Sequence, residues 1–198
     1  MTFDIIFALI LFALASSITP GPNNLMLMAS GVNFGFKLTI PHMLGVSLGF
    51  AFMTILVGLG ILRVFDAFPI TYTILKVLSV GYLLFLAYKI ARAAPTIDNA
   101  KAKTRPMTFI QAVLFQWVNP KAWSMALTAV SVYVPTKNTE SIVLVALVFS
   151  LVNFPCIACW TALGTKIKMW LSNPRRLQVF NYAMAILLVA SLYPLFLR

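Results

Sequence analysis

Six apolar runs, nearly free of charge, divide this chain of 198 residues. The first extends from Ile5 to about Val32 and is interrupted by Thr19-Pro20-Gly21-Pro22-Asn23-Asn24. The second covers Leu38 to Leu62, and the third Ile70 to Tyr88 with Lys76 inside it. The fourth, Met107 to Val134, is interrupted by Asn119-Pro120-Lys121; Ser141–Thr165 and Leu177–Leu197 complete the set. A helix that crosses the hydrocarbon of a bilayer needs ~20 apolar residues, so the runs predict six transmembrane helices joined by short loops in one domain over residues 1–198. They are continuous, whereas the strands of a membrane barrel alternate in polarity. With 61% hydrophobic and 10% charged residues, too few charges remain to cover a soluble surface, and disorder is excluded as well. Asp4 stands where a signal peptide would carry basic residues, so the first run is expected to be a retained helix.

The net charge of +11 comes from 15 Lys/Arg against 4 Asp/Glu. In a soluble chain this would suggest nucleic acid; beside apolar spans it suggests juxtamembrane residues that meet anionic lipid and fix orientation. Loops 1–2, 3–4 and 5–6 carry 10 of the 15, including Lys37, Lys89, Arg92, Lys101, Lys103, Arg105, Lys166, Lys168, Arg175 and Arg176. The opposite side carries 3, Arg63, Lys137 and Arg198. Odd-numbered loops are therefore expected in the cytoplasm and both termini in the periplasm.

Three spans, a basic linker at about residues 91–106 and three more spans divide the chain into a half-repeat at about 1–90 and another at about 107–198. An odd number of spans in each half inverts one half relative to the other. Each half opens with a Pro/Asn-broken helix, and paired interruptions at corresponding positions point to an inverted-repeat transporter whose site lies at the breaks. At the first break, Pro20 and Pro22 remove two backbone donors and Gly21 relaxes the backbone. Half-helix carbonyls there suit an ammonium, and the N-terminus of the restarted helix suits a carboxylate. Pro20, Gly21 and Pro22 would shape this half-site, with Asn23 and Asn24 forming hydrogen bonds in it; a plain proline kink is the simpler alternative. Asn119, Pro120 and Lys121 would shape the other half-site. Lys121 is more than ~20 Å along a helix from either end of its run, too deep to reach the interface easily. It would bind a substrate carboxylate, or else compensate nearby carbonyls.

Other polar groups are less telling. Lys76 can snorkel to the outer interface, and His42 can relay protons or simply sit at the interface as a polar residue. Gly45-Val46-Ser47-Leu48-Gly49 has small-residue spacing suited to helix contacts. Cys156 and Cys159 have redox C-x-x-C spacing but also suit apolar packing. The four acidic residues, Asp4, Asp66, Asp98 and Glu140, lie at span edges or in loops. No Walker motif, metal-ligand cluster or Ser/His/Asp constellation is apparent, so neither an enzyme nor a cofactor is expected. Self-association into a homo-oligomer is compatible with the sequence.

Four stretches carry a family resemblance: Ile18-Thr19-Pro20-Gly21-Pro22-Asn23-Asn24, Gly45–Gly49, Gly81–Lys89 and Val118-Asn119-Pro120-Lys121-Ala122. Together they resemble the LysE/RhtB family of bacterial amino-acid exporters, from about residue 3 to the C-terminus. The resemblance implies an all-α secondary transporter of the inner membrane that exports a small zwitterionic amino acid or derivative by alternating access. The regions of Gln116, Asn119 and Cys159-Trp160 resemble the cysteine/O-acetylserine exporter branch. The wider superfamily includes membrane thiol–disulfide carriers with reactive cysteines on different half-repeats, whereas both cysteines here lie in the fifth run. A thiol–disulfide oxidoreductase using Cys156 and Cys159 is the rival expectation, and a non-transporting scaffold the third.

Overall fold

The computed structural model describes residues 1–93, 105–134, 138–171 and 173–193, and these are all-α. The helices are α1 (Phe3–Ile18), α2 (Pro22–Phe34), α3 (Phe36–Gly58), α4 (Ile61–Ala67), α5 (Ile70–Ala91), α6 (Phe109–Val118), α7 (Pro120–Tyr133), α8 (Thr139–Trp170) and α9 (Pro174–Ala190). Three of them, α3, α5 and α8, are long and apolar enough to cross a membrane, and α1 with α2 makes a fourth crossing if the 55° bend between them lies within one span. Most of the basic linker, including Lys101 and Lys103, lies outside the described residues, as do Lys137 and Arg198.

Local chemistry sets the helix ends. Thr108 and Gln111 form a reciprocal capping box that starts α6. Asn119, Asn138 and Asn173 each accept a backbone N–H at the start of α7, α8 and α9. Three boundaries differ from the apolar runs. The second run ends early, because α3 stops at Gly58 and Gly60 turns the chain with φ 97°. The short helix α4 follows and buries none of its residues. Its Asp66 accepts a 2.7 Å bond from Tyr72 on α5. The fifth run is overrun: α8 continues through Lys166 and Lys168 to Trp170, since charge marks where apolar surroundings end rather than where a helix must stop. The sixth starts earlier, at the Asn173 cap, and α9 is 17 residues long; Leu197 lies outside the described residues.

Two of the four buried clusters among the described residues gather most of the helices. Leu9, Phe50, Met53, Val145 and Phe149 join α1, α3 and α8, with the α7 alanines 122, 126 and 129 packed against them. Met26, Leu83, Phe115 and Leu188 join α2, α5, α6 and α9. Large apolar side chains also point outward, as with Leu151, 75% exposed, and Ile186, 67% exposed. A shell of this kind is matched to lipid rather than to water.

Close crossings use small residues. A Cβ at Gly45 would strike the Phe109 carbonyl, and one at Gly49 would lie 2.7 Å from the Val113 Cα, so the Gly45–Gly49 pattern serves the α3–α6 crossing. A Cβ at Gly31 would strike the Thr161 carbonyl, and one at Gly164 the Met28 carbonyl, so α2 and α8 meet backbone to backbone. Ser47 and Ser150 exchange hydrogen bonds with each other's carbonyls across α3 and α8. Side-chain bonds also fix which helix ends lie together. Gln178 donates to Ala91 O, Asn181 to Ala93 O, and Asn33 to Asn181. The end of α2, the end of α5 and the start of α9 thus share one end of the bundle.

Candidate functional site

The prolines and glycine at 20–22 produce the expected break. α1 stops at Ile18, Thr19 is extended, and α2 begins at Pro22 as its first residue. A helix that ends inside a membrane leaves carbonyls that must find donors. Here the carbonyls of Ser16, Ser17, Ile18 and Thr19 each find one. Thr19 Oγ1 donates to Ser16 O at 2.8 Å. Buried Asn24 donates to Ser17 O and to Thr19 O, both at 2.7 Å. Trp160 Nε1, from α8, donates to Ile18 O at 3.2 Å. Lys121 Nζ, from the start of α7, donates to Thr19 O at 2.7 Å and Thr19 Oγ1 at 2.8 Å, and approaches Pro20 O at 3.4 Å.

The second break closes within itself. Asn119 N–H donates to Gln116 O, and Asn119 Oδ1 accepts Lys121 N–H at 3.1 Å, with Pro120 as the first residue of α7. Trp123 Nε1 donates to Trp117 O at 2.8 Å. The start of α2 is different, because no side chain caps it. Its Asn23 instead pairs with Gln116 of α6, Asn23 Nδ2 donating at 2.8 Å and Gln116 Nε2 returning a 3.3 Å bond.

The two breaks therefore meet. Gly21, Asn23, Asn24, Asn119 and Lys121 line one cavity of about 20 Å³, room for a single water. Pro20 is exposed, while Pro22 and Asn119 are buried; the prolines and Pro120 act through the backbone they shape. Gly21 leaves room for the lysine, since a Cβ there would lie 2.6 Å from Lys121 Cδ and the side chain would have to shift. Lys121 bonds the carbonyl end of α1, which is the compensating geometry raised from the sequence, while also lining the cavity.

Other residues at the site were not singled out as site residues from the sequence. Gln116 is 0% exposed and bridges to Asn23. Ser17 and Asn153 are buried and line the cavity, and Ser17 Oγ has no hydrogen-bond partner among the described residues. A polar residue deep inside an apolar run, such as Asn153 in the fifth, is the signal that marks them. Lys76 is exposed on α5 and lines a separate groove facing α7. His42 is not an exposed interfacial residue: it is 1% exposed inside the bundle. Cys156 is buried and Cys159 exposed, both as free thiols. Among the described residues no cluster of His, Cys, Asp or Glu could hold a metal ion.

Comparison with known proteins places the chain in a family. The family model described as LysE type translocator matches residues 14–191. A cysteine/O-acetylserine efflux protein of Salmonella typhimurium is 31% identical over 157 residues, covering 77% of this chain and 78% of the relative. The protein of that name in Escherichia coli K12 is 30% identical over 168 residues, covering 83% and 84%. No solved structure matches. The matched segment contains both helix breaks and the helices that cross at them, and the chain, a multi-pass membrane transporter and not an enzyme, belongs to the LysE type translocator family.

Proposed function

We propose that this translocator exports a small amino acid or amino-acid derivative across the bacterial inner membrane by alternating access, binding it between the two helix breaks. Cysteine and O-acetylserine are the first candidates, because the relatives named above carry those substrates in their names. The observation that carries the reading is the reach of Lys121 from one break to the carbonyls of the other. Its ammonium sits where the ammonium of a substrate would sit. Substrate entry then exchanges one cation for another: the substrate ammonium takes Thr19 O, and Lys121 turns to the carboxylate. The uncapped start of α2, at Asn23 and Asn24, offers that carboxylate further N–H donors. The small cavity must enlarge for this, as a site that closes between two accessible states does.

Six spans in two inverted halves, about 1–90 and 107–198, fit the packing. If α1/α2 corresponds to α6/α7, α3 to α8 and α5 to α9, then the packing of α3 on α6 corresponds to that of α8 on α1. The α3–α8 and α5–α9 contacts correspond to themselves. With the basic loops cytoplasmic and in contact with anionic lipid, both termini are periplasmic; a periplasm-active reporter fused at Arg198 that stays silent overturns the orientation.

Uptake into everted vesicles against a panel of amino acids tests the function. Energised uptake of a small zwitterion by the parent is expected, and its loss in Pro20→Ala/Pro22→Ala, which restores two backbone donors and allows a continuous helix. No flux of any amino acid overturns the export reading. Cys156→Ala/Cys159→Ala should retain uptake; complete loss in a folded double variant would revive the redox alternative.

A further inference from the structure

A second cavity, of about 180 Å³, lies away from the breaks at the end of the bundle where α2 and α5 finish. It is nine times the volume at the breaks. That is room for on the order of ten water-sized bodies, enough for an amino acid with a short side chain. Lys89 and Arg105 stand at its exposed rim, and Asn33 and Gln111 line it with them. Among the described residues no Asp or Glu lines it. At its buried side is His42, whose Nδ1 and Nε2 both lack a hydrogen-bond partner among the described residues. Buried polar groups are rarely left without partners, and this one borders a cavity with two cations at its mouth. α2 runs from this cavity to the first break: Asn33 is ten residues beyond Asn23, ~15 Å along the helix. The Asn23–Gln116 amide pair, which joins α2 to α6, lies at the inner end of that path.

From this geometry we propose a vestibule: a binding site distinct from the helix breaks that takes an amino acid by its carboxylate, with Lys89 and Arg105 as its cationic partners and His42 as the buried hydrogen-bonding group. It rests on the export reading for its ligand. Substrate caught here is handed along α2 when the Asn23–Gln116 pair parts.

The test uses the purified full chain in neutral detergent with Phe85→Trp as reporter, since Phe85 lines the cavity with Lys89 Nζ 5.8 Å from its ring centroid. Fluorescence is titrated with cysteine, with O-acetylserine and with cysteine methyl ester, which lacks the free carboxylate. A saturable change with the two acids and little with the ester is expected. Lys89→Gln/Arg105→Gln should weaken binding by ~10-fold or more, His42→Leu should weaken it less, and Lys121→Met should leave it intact. Circular dichroism and size-exclusion profiles of each variant separate lost binding from lost folding. The proposal is overturned if the acids give no saturable change, if the double variant titrates like the parent, or if phosphatidylglycerol alone produces the change, which would make the cavity a lipid seat. Binding here without vesicle uptake sinks the export reading and keeps the vestibule; uptake without binding here does the reverse.

Discussion

The two helix breaks look alike in sequence and are held in different ways. Around Asn119, every donor described to a backbone carbonyl or to Asn119 itself lies within the segment Gln116–Trp123, so the backbone of the second break is held by its own neighbours, while the Gln116 side chain reaches out to Asn23. Around Pro20, Asn24 is local, but Lys121 is 102 positions away and Trp160 is 142 positions away. The second break is thus built into its own segment, whereas the first is complete only when α7 and α8 are in place. A break that depends on distant donors responds when they move, so of the two the first is the one coupled to the positions of α7 and α8.

Removing the long-range donor with the charge should have the largest effect. Lys121→Met keeps similar bulk and loses both the Thr19 contacts and the charge offered to a substrate. Export of a free amino acid should fall ~10–100-fold, the value of a charge-assisted contact of about 1.5–3 kcal/mol. Its amide should suffer little by comparison. Vesicle kinetics with the two substrates check this, and equal, parental rates for both would reduce Lys121 to a structural cap.

A smaller effect separates the breaks by stability. Asn24→Ala strips a buried donor from two carbonyls and should cost about 1–3 kcal/mol, whereas Asn119→Ala removes an N-terminal cap worth about 1 kcal/mol. Thermal unfolding in detergent should rank Asn24→Ala as the more damaging, and the reverse order would contradict the contrast between the breaks. The smallest expected change is Trp160→Phe, which keeps an aromatic ring but loses the indole N–H and its bond to Ile18 O, at about 1 kcal/mol. The same melts detect it, and its addition to Lys121→Met should cost more than the sum of the two if both donors hold one hinge.

The helices and both breaks were legible in the sequence because their causes are local: apolar length, and proline or glycine where a helix must stop. The pairing of Lys121 with Thr19 was not, since depth in an apolar run says that a lysine needs partners without saying which. His42 was misplaced for a related reason. Its position six residues after α3 begins suggests an interface, but it lies inside the bundle, 1% exposed, beside a cavity lined from α2, α5 and α6. The helix α4 was missed because Gly60 turns a run that remains apolar on both sides.

The backbone contact between α2 and α8 has a mechanical meaning. With Gly31 against Thr161 and Gly164 against Met28, a Cβ at either glycine would drive into the facing carbonyl. The distance between α2 and α8 is therefore set by two missing side chains, and a larger residue at either position would wedge apart the helices that carry Asn24 and Trp160, the two donors to the carbonyl end of α1.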